Sequence, residues 1–232
     1  MKQLYKLLLS TFLIFTFTNY IAQVNLDSLF GVWKDETKAD TSRLKAMHNI
    51  AFDHYIYYRP DSSFYYAGLQ YSFARNINNK KFMAMALNTQ GASFYIRSDF
   101  ERALKYYKKS LRIKQSISNN NYQIAKSFNN IGLLYTALGN YERSLEYFEK
   151  ALKIQKDSIS KANYYSNIGN VYTKQRNFEK ALISFKKSIE IISNKSPIEN
   201  LVKQKIININ DFTILAECSQ RMGVVYMELK NF

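Results

Sequence analysis

Cysteine is almost absent from this chain, whose 232 residues include only Cys218. A single thiol excludes an internal disulfide, so the fold must be stabilised by packing. Cys218 closely follows Ala216 in a helical pattern, which predicts that the thiol is part of the core. Beyond the first 22 residues, the chain also lacks any apolar run long enough for a transmembrane helix.

Glycine and histidine are also scarce, and this excludes the common catalytic and metal-binding motifs. The seven glycines form no Gly-x-Gly, no phosphate-binding loop and no Gly-x-Ser-x-Gly. His48 and His54 are six residues apart on a predicted helix, so they face different directions and make a poor metal pair. There is no His-Glu-x-x-His and no Cys-x-x-Cys. We therefore predict no catalytic residue, no cofactor and no metal, and a chain that is not an enzyme.

The N-terminus has the pattern of a targeting segment. A basic start at residues 1–6 precedes an apolar run at residues 7–17, and small Ala22 follows after a polar stretch. This order is typical of a secretory signal peptide. The alternative is an uncleaved anchor, but the run is shorter than the roughly 20 apolar residues that span a bilayer. We predict a signal peptide at 1–22, cleaved after Ala22, and an exported protein of the periplasm or cell envelope.

Acidic residues are outnumbered by basic ones, 18 to 33, which gives a formal net charge of +15. Such a balance often indicates nucleic-acid binding. An exported protein rarely meets nucleic acid, so we predict no such partner. Two interpretations of the charge remain open. It can be the solvated face of helices, or it can dock onto an anionic cell-envelope surface or an acidic partner.

The chain does contain an internal repeat, which four glycines mark. Gly91, Gly132, Gly169 and Gly223 are spaced 41, 37 and 54 residues apart. Aromatic residues recur three and nine residues after each glycine, and sixteen residues after the first three. In that order they are Phe94, Tyr135, Tyr172 and Tyr226, then Phe100, Tyr141, Phe178 and Phe232, then Tyr107, Phe148 and Phe185. A turn-forming Asp or Asn precedes each aromatic of the second set.

This pattern resembles the tetratricopeptide repeat, a helix–turn–helix unit of about 34 residues. The resemblance covers roughly residues 84–232. It departs from the family at the terminal proline, which the three complete copies lack, and at the tryptophan position, which holds Leu87, Phe128 and Tyr165. The resemblance implies an all-α fold, a right-handed α-solenoid of stacked helix–turn–helix hairpins.

The residue types of the repeat have a packing reason. Glycine or alanine at facing positions of two helices lets the backbones approach closely, and aromatics fill the space around that contact. Each hairpin carries an apolar stripe with a period of 3.6 residues, so it must stack on its neighbours. In the second copy, Gly139 is predicted to end the first helix as a C-cap.

The predicted organisation follows from these boundaries. In chain order, it is a signal peptide at 1–22, a linker with one short helix at 23–40, a divergent helical hairpin at 41–80, repeats at 84–117, 125–158 and 162–194, an insertion at 195–210, and an incomplete repeat at 211–232. In the hairpin, Pro60 ends the first helix and Asp61 or Ser62 caps the second. This segment is similar to the first repeat of exported tetratricopeptide proteins of Bacteroidota-type bacteria.

The chain stops at Phe232, where a second helix should open, so we expect a fragment of a longer protein.

The resemblance also implies a binding surface. In the family, the first helices of the hairpins line a concave groove that binds extended peptides or partner helices. The residues that flank the glycines on that side are Asn88, Asn129, Asn130, Asn167, Asn170, Thr173 and Lys174. Asparagine amides can both donate to and accept from a peptide backbone. The alternative is that they only solvate a polar groove. The Lys/Asn/Arg clamp of some members is not assembled here.

These observations favour a protein–protein interaction scaffold that binds a peptide or partner protein in the concave groove. The alternative is the periplasmic sensor region of a truncated membrane signal-transduction protein, either a histidine kinase or a transcriptional regulator. Exported arrays of this kind are often followed by a transmembrane helix and an output domain, so that hypothesis includes a membrane tether. An envelope enzyme is disfavoured, because the sequence shows no nucleophile, metal site or cofactor loop.

Overall fold

A computed structural model describes residues 26–117, 119–193 and 209–230, and within these ranges all regular secondary structure is helical. The chain divides into two compact units, residues 1–113 and 114–232. The predicted signal peptide, most of the predicted insertion and Phe232 lie outside the described residues.

The first unit contains helices from before the repeats and from the first repeat. They are α1 (26–34), α2 (Asp40–Asn49), a π-helical turn (Ile50–His54), α3 (Pro60–Asn76), α4 (Lys80–Ile96) and α5 (Phe100–Gln115), whose last residues cross into the second unit. Leu26 of α1 is buried against Met47 and Ile50. The one short helix predicted within the segment 23–40 lies at α1, and its contacts place it in the core of the first unit.

The hairpin predicted at 41–80 corresponds to α2, the π-helical turn and α3. Its capping prediction is wrong. α3 begins at Pro60, and the N-cap Arg59 makes no side-chain capping bond. Proline suits the first helical position, because the N–H that it lacks would have no partner there. Asp61 instead forms an ion pair with Arg97, which follows the end of α4.

The second unit contains the helices α6 (Asn121–Ala137), α7 (Tyr141–Ile154), α8 (Ser158–Lys174), α9 (Phe178–Ser193) and α10 (Ile209–Lys230). α6 pairs with α7 and α8 pairs with α9, while α10 packs against both α8 and α9. Across the described residues, the predicted all-α fold class is confirmed, with helices packed in adjacent pairs as in tetratricopeptide hairpins.

Three glycines provide the contact between paired helices that the repeat predicts. A Cβ atom built on Gly91, Gly132 or Gly169 would lie 2.6, 2.8 or 2.5 Å from the nearest ring carbon of its aromatic partner. The partners are Tyr107, Phe148 and Phe185, the aromatics sixteen residues later. Each ring thus packs directly on the helix backbone. At Gly223, no atom of the described residues lies within 4 Å of such a Cβ.

The turn between paired helices has the same geometry in all three repeats. Ser98, Gly139 and Arg176 have φ values of 59°, 73° and 59°. The N–H of the next residue donates to a carbonyl five residues back, as Asn140 does to Tyr135 at 2.9 Å. The side chain of that next residue then caps the second helix, since Asn140 Oδ1 accepts from the N–H of Arg143 at 3.1 Å. The turn-forming Asp99, Asn140 and Asn177 are therefore helix N-caps.

Candidate peptide-binding cleft

A cleft of 690 Å³ lies in the second unit, formed by one face of the three first helices α6, α8 and α10 and by the start of α8. Its lining residues are Tyr122, Lys126, Asn129, Asn130, Asp157, Ile159, Ser160, Asn163, Tyr164, Asn167, Thr213, Ile214 and Glu217. We call this set the amide cleft, because four of its side chains are asparagine amides.

Two of the predicted asparagines meet in the amide cleft. Asn167 Nδ2 of α8 donates to Asn129 Oδ1 of α6 at 2.9 Å. This bond restricts the rotamers of both side chains, so less conformational freedom is lost when a ligand binds. It leaves the Asn129 amide nitrogen as a donor and the Asn167 oxygen as an acceptor. The edge of an extended peptide carries backbone C=O and N–H groups, which can pair with this donor and this acceptor.

The other two amides extend this polar strip. Asn130 follows Asn129 on α6 and is half-buried, while Asn163 lies one turn before Asn167 on α8 and is exposed. Both line the amide cleft. Since residues four apart on a helix share a face, Asn163 and Asn167 present their amides in one row.

Aromatic and apolar side chains form the rest of the wall. Tyr164 is 3% exposed, and its hydroxyl accepts a hydrogen bond from Gln155 Nε2 at 3.4 Å. Burial raises the pKa of this phenol, so Tyr164 is neutral at physiological pH. Tyr122 is exposed, and the Lys126 ammonium lies 5.6 Å from the centre of its ring. Ile214 of α10 adds a buried apolar contact.

The charges of the amide cleft are mixed. Lys126 is basic, whereas Asp157 and Glu217 are acidic. Asp157 Oδ2 caps α8 by accepting from the N–H of Ser160 at 2.7 Å. Glu217 pairs with Arg221 at 3.5 Å, where both groups are partly exposed. The amide cleft therefore combines charges of both signs with four amides, and all of these groups can take part in hydrogen bonds.

The remaining predicted groove residues do not line the amide cleft. Asn170, Thr173 and Lys174 lie on α8 after the glycine, and the Thr173 hydroxyl donates to the Gly169 carbonyl of its own helix at 2.9 Å. Asn88 lies on α4 in the first unit and is half-buried. The structure therefore brings together three of the seven predicted residues.

The sequence carried a signal for the lining residues that were missed. Six residues before Gly132, Gly169 and Gly223 stand Lys126, Asn163 and Glu217; ten residues before them stand Tyr122, Ile159 and Thr213. Steps of three or four residues from the paired asparagines reach both positions on one helix face. The prediction extended this face after each glycine, whereas the cleft extends before it.

The described residues also bear on membrane insertion and metal binding. No helix there combines the length and apolarity that a membrane crossing requires. Nor do His, Cys, Asp and Glu side chains there gather into a group of three or more that could hold a metal ion.

The chain is similar to proteins of known structure. Residues 82–157 and 123–194 match a model of the tetratricopeptide repeat. The crystal structure of BtubC (BKLC) from P. vanneervenii superimposes with a TM-score of 0.60 at 21% identity, covering 75% of this chain and 72% of that chain. At this identity the similarity concerns the fold alone. No curated protein sequence matches the chain significantly.

Proposed function

We propose that this chain, whose residues 82–194 match the tetratricopeptide repeat, is a non-catalytic scaffold that binds an extended segment of a partner protein in the amide cleft. Tetratricopeptide repeats generally mediate protein–protein interaction. The amide cleft is formed by the helix faces that bind ligands in such repeats. Its mixed charges and its row of amides suit a peptide rather than a reacting substrate.

The observation that carries this proposal is the bond between Asn129 and Asn167 at 2.9 Å. It links neighbouring repeats on the cleft side and holds a donor and an acceptor in fixed positions. A peptide backbone offers the complementary pair every second residue when it is extended. Affinity then depends on the backbone, and Tyr122, Ile159 and Ile214 select side chains.

A peptide selection tests the proposal. Peptides of about ten residues, selected from a random library on the purified chain, would be titrated by isothermal calorimetry. The double variant Asn129→Ala/Asn167→Ala should weaken the best binder about tenfold or more, because it removes hydrogen bonds in a desolvated cleft. Circular dichroism should show unchanged helix content, since both residues are only half-buried.

Asn170→Ala is the matched control, because it removes the same side chain from the same helix outside the amide cleft. It should leave affinity unchanged. If the double variant and Asn170→Ala bound the selected peptides as tightly as the native chain, the amide cleft would not be the binding site.

We also propose that the scaffold acts outside the cytoplasm. This rests on the signal-peptide pattern at residues 1–22 of the sequence. A partner would then be a protein or peptide of the cell envelope.

A further inference from the structure

A second cleft, of 530 Å³, lies in the first unit between α3, α4 and α5. Its lining residues are Gly68, Tyr71 and Ser72 of α3, Leu87 and Gln90 of α4, and Tyr106, Lys109, Arg112 and Ile113 of α5. We call it the basic cleft. The helices α3 and α5 form its rims, and each is the second helix of its hairpin. The amide cleft is formed by first helices instead, so the two clefts differ in construction.

Every charged side chain that lines the basic cleft is a cation. Lys109 and Arg112 are three residues apart on α5, and both are exposed. Side chains at this spacing are neighbours on a helix surface. Among the described residues, no carboxylate forms an ion pair with either one. The Lys109 ammonium lies 5.4 Å from the ring centre of Tyr106, which orients it. Two unneutralised cations one turn apart attract an anion.

The floor of the basic cleft is apolar, with one amide. Leu87 is 5% exposed, while Tyr71 and Ile113 are half-buried. A Cβ built on Gly68 would lie 3.5 Å from Gln90 Nε2, an ordinary van der Waals distance, so the Gln90 amide lies directly beside this glycine. Gln90 is itself 8% exposed, and its side chain has no hydrogen bond within the described residues. Gly68 and this buried amide therefore lie side by side in the lining of the basic cleft.

We propose that the basic cleft binds a small amphiphilic anion, a carboxylate attached to an apolar body. The carboxylate pairs with Lys109 and Arg112, whose guanidinium can hold both oxygens at once. The apolar body lies against Tyr71 and Leu87 above Gly68. The volume of 530 Å³ is within the range of small-molecule sites. This site is independent of peptide binding in the amide cleft.

The probe for this proposal is 4-phenylbutyrate, which combines a carboxylate with an aromatic body. The full chain, labelled with ¹⁵N, would be titrated while amide resonances are followed by NMR. We expect saturable shifts centred on Gly68 and Gln90. The neutral 4-phenylbutyramide lacks the charge and inorganic phosphate lacks the apolar body, so each should bind about tenfold more weakly or worse.

Two pairs of substitutions on α5 distinguish binding at the basic cleft from a general attraction of the anion to positive charge. Lys109→Gln/Arg112→Gln should weaken binding of 4-phenylbutyrate about tenfold or more. Lys105→Gln/Lys108→Gln is the matched control, since it removes two exposed cations of the same helix that do not line the basic cleft. The control pair should leave the affinity within about twofold.

A steric variant tests the cleft without changing its charge. Gly68→Leu adds a bulky side chain to the lining of the basic cleft beside Gln90 and should abolish the saturable shifts while circular dichroism shows an unchanged helix content. The proposal is overturned if 4-phenylbutyrate does not saturate, if its amide binds equally well, or if the two pairs of substitutions weaken binding equally.

Discussion

Lys114 is an unusual residue, because its amino group is buried and no acidic side chain of the described residues pairs with it. Its side chain is 6% exposed, and Nζ donates to Ser127 Oγ at 2.8 Å. Burial, with a smaller contribution from the nearby Lys126, lowers the pKa of the Lys114 ammonium to about 8. The folded state therefore favours neutral Lys114, whereas the unfolded chain holds the proton up to its ordinary pKa of 10.5.

This difference fixes the sign of a pH effect. Below pH 8 both states are protonated, and the folded state bears the full cost of the buried charge. Between pH 8 and 10.5 the unfolded state binds more protons, so stability rises with pH. The gain approaches about 3 kcal/mol if the whole shift is realised.

Lys114→Met tests this at the residue. The variant should be more stable than the native chain at pH 7 by about 1–3 kcal/mol, since it removes the buried charge and fills the same space. Ser127 keeps a partner, because its hydroxyl also donates to the Gln123 carbonyl at 3.1 Å. Urea unfolding at pH 7 and 9.5 should show the difference shrinking with pH. A constant difference would contradict the assigned cause.

Single residues also show the limit of sequence patterns. The Asp and Asn before each aromatic predicted turns, and the structure makes them N-caps. The preceding residue must adopt positive φ, and in two of the three repeats it is Ser98 or Arg176 rather than glycine. Because positive φ is uncommon for residues other than glycine, no local signal marked these two positions. The surrounding hairpin determines their conformation.

At the scale of elements, the pairing of helices rests on glycine positions covered by rings. In α8, Gly169 is covered by the ring of Phe185 from α9, which is fully buried. The glycine of α10, Gly223, has no atom within 4 Å of a Cβ position. Among the described residues, glycine therefore has a packing role in α8 and none in α10.

Two alanine substitutions measure that difference. Gly169→Ala should destabilise the chain by about 1–3 kcal/mol, because its new Cβ would lie 2.5 Å from the Phe185 ring, which must move. Gly223→Ala should stabilise α10 by about 0.5–1 kcal/mol, as alanine does in a helix interior. Thermal unfolding of each variant measures both changes in the free energy of unfolding, provided that the folded variants have equal helix content. Equal effects of the two substitutions would rule out the ring contact as the cause.

The existence of the helices and the helix face that lines the amide cleft were predictable at this scale, whereas the extent of that face along the helices was not. The glycine register placed Asn129, Asn130 and Asn167 on one side of the first helices, and they do line the amide cleft. The register carried no information on where α10 would lie beside α8. That packing decides that the cleft includes Thr213, Ile214 and Glu217.

At the scale of the whole molecule, the location in the cell is the property that most affects the choice of partner. Export can be tested in the native cells. The membrane and soluble fractions are separated, and the intact mass of the protein is measured in each. We expect the N-terminus of the mature product at Gln23, because cleavage after Ala22 suits the signal-peptide pattern. A charge placed in the apolar run, as in Leu9→Asp, should block export.

The mass would also separate the alternatives. A product that retains Met1 in the cytosol would contradict export, and one that retains Met1 in the membrane would contradict cleavage. A membrane-bound species much heavier than 27.2 kDa would favour the sensor region of a larger signalling protein. A soluble species near the mass of residues 23–232 would favour a free-standing scaffold.

The sequence by itself determined the fold class, the repeat register and the residues at which paired helices touch. These are local or periodic properties, because helix propensity, turn chemistry and the spacing of glycine and aromatic residues repeat along the chain. It also indicated that Cys218 is a core residue, and the thiol is fully buried.

Only the tertiary structure decided which side chains share a cleft and which charges lack partners. The Asn129–Asn167 bond joins residues of neighbouring repeats, and Lys109 and Arg112 line a cleft only because α3 and α4 supply the apolar floor beside them. The burial of Lys114 is likewise a consequence of helix packing. Distances between helices depend on the fit of all their contacts together, so no pattern within one helix predicts them.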